Sequence, residues 1–266
     1  MSDSPAAAAP RVLGVLNVSP ESMVEESIAL GDAAVIERAR TLVGSGADWI
    51  DLGGRSITPD VPMIGDDIEQ ARLAPALERL EAERGAGSSF RVSVDTWSPD
   101  TGLFALDHGA DGINFTGGEL PSRLLDAVAA AGATLFVTFM PYENAYAMRS
   151  APPAAVGLQA TLDHLGSKVE AARRAGISKL VLDPNLGIVH PDTDDYGKIH
   201  QQLRMLFGIE ALRTLGCPIL IYAARKPERL ARIMTASAAL HAGADYIRTH
   251  TPEMIWRLYQ PPSGHD

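Results

Sequence analysis

Eight short, β-rich apolar runs recur along the chain, each followed by a segment with helical spacing, and this alternation constrains the fold more than any other feature. The runs are RVLGVLN (11–17), ADWIDL (47–52), FRVSVD (90–95), DGINF (111–115), TLFVTF (134–139), KLVLD (179–183), PILIY (218–222) and DYIR (245–248). Most are apolar without a break rather than alternating, the pattern of strands buried on both faces of a parallel sheet. Spacing and preceding caps predict helices over Asp32–Val43, Asp66–Arg84, Pro99–His108, Pro121–Ala131, Leu158–Ala175, Tyr196–Leu215 and Pro227–Ala242. Several of these end in glycine followed by a small residue, as in GSGAD, AAGAT and HAGAD, because glycine at C′ terminates a helix in the left-handed conformation. Pro75 interrupts the second pattern and is expected to kink that helix or to mark a late start. The stretch 141–156 reads as a long loop after the fifth strand.

Eight βα units with right-handed crossovers close into a barrel or lie as an open doubly wound sheet, and periodicity leaves both open. The 266 residues match the roughly 250 typical of an α/β barrel, and no composition shift marks an internal boundary. Residues 1–10 are expected as a loose tail, 11–260 as one unit and 261–266 as a second tail. A formal charge of −10 without a run of Lys or Arg argues against nucleic acid as a partner. No apolar run reaches membrane-spanning length, and the opening MSDSPAAAAP lacks the features of a secretory signal, so the expected setting is cytoplasmic. The single cysteine, Cys217, can form no internal disulfide and is expected as a buried thiol.

Ligands of either architecture bind beyond the carboxyl ends of the strands, which makes the polar residues closing each run informative. They are Asn17, Asp51, Asp95, Asn114 and Asp183, then Arg225 and Lys226 after the seventh run, and Arg248 and His250 at the eighth. Each alone is explicable as a cap or a turn residue. Gathered from seven strands of one sheet they are not, because burying them without a ligand is costly. Carboxylates, amides and cations together suit a ligand with a donor-rich heterocyclic edge and an anionic part. No metal-spaced Cys/His cluster, nucleophile elbow or phosphate-binding glycine motif is present. His108, His164, His190, His200 and His241 are read as surface or packing residues.

The ordered strings GVLNVSPES, DLGGRSITP, SVDT, GIN, LVLDP, ARK and IRTH resemble dihydropteroate synthase, of the pterin-binding barrel superfamily, over residues 11 to 258. The resemblance implies a single (β/α)₈ TIM barrel. It also implies a pterin-ring site of Asp95, Asn114, Asp183 and Lys226, with Met140 as an apolar wall and Arg248 stacking on the ring. Asn17, Arg248 and His250 match residues that contact pyrophosphate, with Mg²⁺ near Asn17 and no tightly bound organic cofactor. The implied catalytic set is Asn17, Lys226, Arg248 and His250, and the implied assembly is a homodimer. In the family reaction pyrophosphate leaves the pterin methylene and the amine of p-aminobenzoate attacks it, so positioning and anion stabilisation do most of the catalysis.

Departures from the family pattern fall on the second-substrate side. The usual NVTPDSFSDGG is NVSPESMVEES here, carrying Ser19 and placing Met23 at an aromatic position. The usual GGESTRPG is GGRSITPD, so that Arg55 and Ser56 precede Ile57 and Thr58, and Thr58 stands at the anion-binding Arg; Arg55 offers charge from a different position. The usual SRK is ARK, with Ala224 for the serine and Tyr222 for a small residue, while DPGFGFGK is DPNLGIVH, with Ile188 for a phenylalanine. Losing a bidentate Arg and an aromatic clamp weakens a complex by roughly 1–3 kcal/mol each. The expected activity is a dihydropteroate synthase-like transfer of a pterin methylene to p-aminobenzoate or another amine or nucleophile. The alternatives are a non-catalytic pterin- or folate-binding paralogue and a pterin-dependent methyltransferase, the latter disfavoured by the ARK and RTH segments.

Overall fold

The computed structural model describes residues 9–58, 61–223 and 228–259; Ala224, Arg225 and Lys226 lie outside them, as do both expected tails except residues 9 and 10. Eight parallel strands follow the sequence order: β1 (Arg11–Asn17), β2 (Trp49–Gly53), β3 (Arg91–Thr96), β4 (Gly112–Phe115), β5 (Thr134–Thr138), β6 (Leu180–Asp183), β7 (Leu220–Tyr222) and β8 (Tyr246–Thr249). Their hydrogen-bonded order is β6-β5-β4-β3-β2-β1-β8-β7. The ends meet through a parallel bridge between Leu182 and Ile219 and the bond from Leu182 N–H to the Pro218 carbonyl (2.9 Å). The sheet is thus a closed (β/α)₈ barrel, and the open alternative is excluded.

Helices α1 (Asp32–Gly44), α2 (Asp66–Gly85), α3 (Pro99–Asp107), α4 (Ser122–Ala131), α5 (Ala145–Ser150), α6 (Leu158–Arg174), α7 (Asp195–Phe207), α8 (Ile209–Arg213), α9 (Arg229–His241) and α10 (Pro252–Tyr259) follow the strands. Pro75 does not delay α2, which starts at Asp66 and runs 20 residues with the proline on its exposed side. The loop expected over 141–156 contains α5, capped by Asn144, whose side chain accepts from the N–H groups of Tyr146 and Ala147 (2.9 Å each). One helix expected over Tyr196–Leu215 is two, divided at Gly208, and α10 was not foreseen. Cys217 is only half-buried, since its run enters β7 at Leu220 rather than at Pro218.

Strand pleating sorts residues between two cores. Outward positions such as Val12, Ile50, Val92, Ile113, Leu135 and Ile247 pack with helix residues Leu42, Leu73, Leu80, Leu124 and Leu165 in the main core. Inward positions Leu13, Trp49, Phe136, Val181, Leu220 and Tyr246 form a separate plug inside the barrel. Phe136 takes Trp49 edge to face at 5.3 Å and Tyr246 at 5.6 Å. Two positions further along several strands, the inward residues turn polar, and the plug is the floor on which they stand.

Candidate active site

Asp51 lies two residues beyond Trp49, on the same inward face of β2, and is fully buried. It is not at the rim, as a strand-closing residue would be, but within the barrel. It accepts from Ser93 Oγ (2.6 Å), Asn114 Nδ2 (3.1 Å) and Arg248 Nε (2.5 Å). Arg248, from β8, spends a second nitrogen on Asp95 (2.7 Å), and its guanidinium lies 5.3 Å from the centre of the Tyr222 ring. Burial opposes the Arg248 charge, yet the neighbouring Asp51 and Asp95 outweigh it and hold the group more firmly protonated than a free arginine.

Above this layer a cavity of about 470 Å³ opens at the carboxyl ends of the strands. Asp95 accepts from Thr116 Oγ1 (3.3 Å) as well as from Arg248; burial pushes its carboxyl up to about 6, with Arg248 opposing. Asp183 has one oxygen bonded to the main-chain N–H of Asn185 (2.7 Å), and burial pushes it up to about 7 against that bond. Asn114 Oδ1 and Thr138 Oγ1 are buried with no hydrogen-bond partner among the described residues, and both side chains line the cavity. Buried acceptors without donors carry a desolvation cost that a donor-bearing ligand removes.

Asn17, Met23, Arg55, Ser56, Asp95, Asn114, Asp183, Arg248 and His250 all line this one cavity. Met140 instead lines a neighbouring cavity behind the β6 loop. Ser19 and Thr58 stand beside the site as loop braces: Ser19 Oγ donates to the Glu21 carboxylate (2.7 Å) and Thr58 Oγ1 to the Glu21 carbonyl (2.6 Å). Arg72 grips the same Glu21 carboxylate with two nitrogens (2.8 and 3.0 Å) and lowers its pKa, so the β1 and β2 loops are joined through one residue. The charge expected from Arg55 is neutralised: its NH2 donates to Asp66 and Glu69 (2.6 Å each), and its guanidinium lies 4.6 Å from the centre of the Trp97 ring. Ala224 and Lys226 lie outside the described residues.

Asn17 donates through Nδ2 to Ser27 Oγ (2.7 Å) and Ser22 Oγ (3.1 Å), and neither bond uses its Oδ1. A Cβ on Gly53 would come within 2.5 Å of that oxygen, so a larger residue there would displace the Asn17 side chain. The cavity members that strand ends alone did not reveal include Ser22, Trp97, Thr116, Thr138 and Asn185. Two of them carried a usable signal: Thr116 is two residues beyond Asn114, and Thr138 two beyond Phe136, on the inward face. Among the described residues no group of three or more His, Cys, Asp or Glu side chains is placed to hold a metal ion.

A family model described as pterin binding enzyme matches residues 13–250. The dihydropteroate synthase type-2 of Escherichia coli is 30% identical over 258 residues, covering 92% of this chain and 92% of that protein. Among solved structures, dihydropteroate synthase from Thermus thermophilus in complex with 4-aminobenzoate is similar with a TM-score of 0.75 at 28% identity, over 95% of this chain and 93% of that one. The Coxiella burnetii enzyme in complex with pteroic acid gives a TM-score of 0.78 at 25% identity, over 95% and 91%.

Proposed function

The chain belongs to the pterin-binding enzyme family as a dihydropteroate synthase-like transferase of folate metabolism, and from that premise we propose how its cavity divides the work. The observation that carries the reading is the set of acceptors above the plug. Asp95, Asp183, Asn114 Oδ1 and Thr138 Oγ1 converge on one cavity, and the last two have no protein donor among the described residues. A flat pterin edge with amino and ring N–H groups supplies those donors. Asp95, Asn114 and Asp183 hold the ring, Lys226 completes the set, and Arg248 covers one face.

Asn17, Arg248 and His250 face the departing pyrophosphate. The carbon–oxygen bond of the pterin methylene breaks, its electron pair leaves with pyrophosphate, and an amine nitrogen forms the new bond and loses a proton. The protein's part is orientation and anion stabilisation, and no side chain acts as a nucleophile. Mg²⁺ suits a site offering the single amide oxygen of Asn17, because this ion takes few protein ligands when phosphates supply the rest; bound there, it would neutralise charge on the leaving group.

The second-substrate side differs from the family pattern in this chain. Thr58 is spent on the Glu21 carbonyl, Arg55 on two carboxylates, and the outer wall is apolar, with Met23, Ile57, Ile188 and Tyr222. The α7 surface exposes Tyr196, Ile199, Leu203 and Phe207 at helical spacing, Tyr196 by 89% and Phe207 by 84%, which supports a homodimer. No helix among the described residues is long and apolar enough to cross a membrane. A lone cysteine suits a reducing, cytoplasmic setting.

The test is incubation with dihydropterin pyrophosphate, Mg²⁺ and p-aminobenzoate, following pyrophosphate and pteroate separately. Condensation is expected, at least about tenfold less efficient than with the usual family loops, since 1.4 kcal/mol already gives that factor. Pterin binding by calorimetry should weaken at least about tenfold in Asp183→Ala, as for loss of a charged hydrogen bond. Pterin binding without any release of pyrophosphate would instead establish the non-catalytic paralogue, and no pterin binding would defeat both.

A further inference from the structure

The loop from β6 to α7 separates two cavities. In front lies the cavity described above; behind it is a second cavity of about 390 Å³, whose lining mixes Phe139, Met140, Met148 and Leu186 with His200, Gln201 and Arg204. Among the described residues Asn185 and Ile188 alone line both. Asn185 is also the one described non-glycine residue with positive φ, at 59°, a conformation that asparagine tolerates better than most. Its side-chain oxygen, side-chain nitrogen and main-chain N–H are all engaged. Oδ1 accepts the Ile188 N–H (2.8 Å), Nδ2 donates to the Phe139 carbonyl (3.0 Å), and the main-chain N–H donates to Asp183 Oδ1 (2.7 Å). Gly187, between Asn185 and Ile188, lies so close to Tyr222 that a Cβ would come within 2.7 Å of the ring. The loop is therefore pinned to β5 through Phe139 and pressed against the end of β7.

We propose that Asn185 is a specificity-determining positioning residue, whose side-chain amide holds Ile188 as the partition between the two cavities and so limits how far the second substrate extends. Its main-chain N–H orients Asp183 independently of the side chain, so the two functions are separable. The proposal rests on the transferase reading for the identity of that substrate. Removing the amide without disturbing the left-handed backbone frees Ile188 and joins the second cavity to the site. A longer flat amine then gains the space behind the loop.

Asn185→Gly makes that change, and Asn185→Asp keeps the acceptor for Ile188 N–H while losing the donor to Phe139. Three quantities are measured: hydrogen exchange at the Ile188 amide, the pterin Kd, and the Kd values of p-aminobenzoate and of 6-amino-2-naphthoate for protein loaded with pterin and pyrophosphate. Both acids carry the same charged groups and differ in length. In Asn185→Gly, exchange should rise at least about tenfold, pterin Kd should stay within about threefold, and the affinity ratio should move at least about fivefold toward the naphthoate. Asn185→Asp should move the ratio less. An unchanged ratio, or unchanged exchange, overturns the proposal. So does a loss of pterin affinity as large as that of Asp183→Asn, which would place the effect on the carboxylate rather than the partition. Binding of neither acid by the parent protein also overturns it, and does so without turnover, so it is distinguishable from failure of the condensation assay.

Discussion

Asp183 shows what a carboxylate buried at a strand end costs in stability. Its carboxyl is raised from 3.8 to about 7 by burial, so between those values the folded chain binds more protons than the unfolded one. Stability attributable to this group falls as pH rises through that window. Asp183→Asn keeps an oxygen for the Asn185 N–H and removes the charge. Its Tm is expected to exceed the parent's at pH 8 and to converge with it only as pH falls toward 3.8, while pterin affinity falls at least about tenfold. A variant less stable than the parent at pH 8 would show that burial does not govern this carboxylate. Arg248 is the contrasting case, because two carboxylates make its charge the stable form at any ordinary pH.

Helix α6 carries a brace for the strand ends. Lys168 is buried and donates to the carbonyls of Gly117 and Thr138 (2.9 Å each), just beyond β4 and at the last residue of β5. Thr138 pairs in register with Asp183, so the ammonium supports the rim from outside the barrel. Burial lowers its pKa from 10.5 to about 7, with His164 one turn away held down to about 4 by burial and by this lysine. Between about 7 and 10.5 the folded chain binds fewer protons than the unfolded one, and stability due to Lys168 rises with pH. Lys168→Met should therefore lose the alkaline rise in Tm expected of the parent between pH 7 and 10. Parallel profiles for the two proteins would rule this out.

At the scale of the whole molecule, the barrel buries the apolar residues of its strands and its inner plug but leaves the α7 stripe to solvent. An apolar row of Tyr196, Ile199, Leu203 and Phe207 has no partner element in the described chain to justify its exposure. Sedimentation velocity is expected to find a dimer, and Tyr196→Asp combined with Phe207→Asp should give a monomer of nearly unchanged Tm, since neither side chain is in a core. A parent protein that sediments as a monomer at micromolar concentration would refute the assembly.

Local periodicity made most of the architecture legible. Strands buried on both faces must be apolar throughout, and β1 spans the expected Arg11–Asn17 while the other seven begin or end within about two residues of expectation. Glycine after a helix and polar residues closing the apolar runs were equally local signals, and the family strings implied the ring-binding roles proposed above. What the chain did not announce were features decided by neighbours distant in sequence. The second helix tolerates Pro75 at its exposed side, and the short α5 forms where Asn144 caps it in a segment that composition marks as loop. Arg55 looked like a free cation until α2 brought Asp66 and Glu69 to it, and Asp51 looked like a rim residue until Arg248, 197 positions away, closed on it inside the barrel. Side-chain alternation along a strand is set by the pleat and is written in adjacent residues. The pairing of charges across the barrel, and hence which carboxylates remain for a ligand, depends on closure of the sheet, which only the tertiary structure supplies.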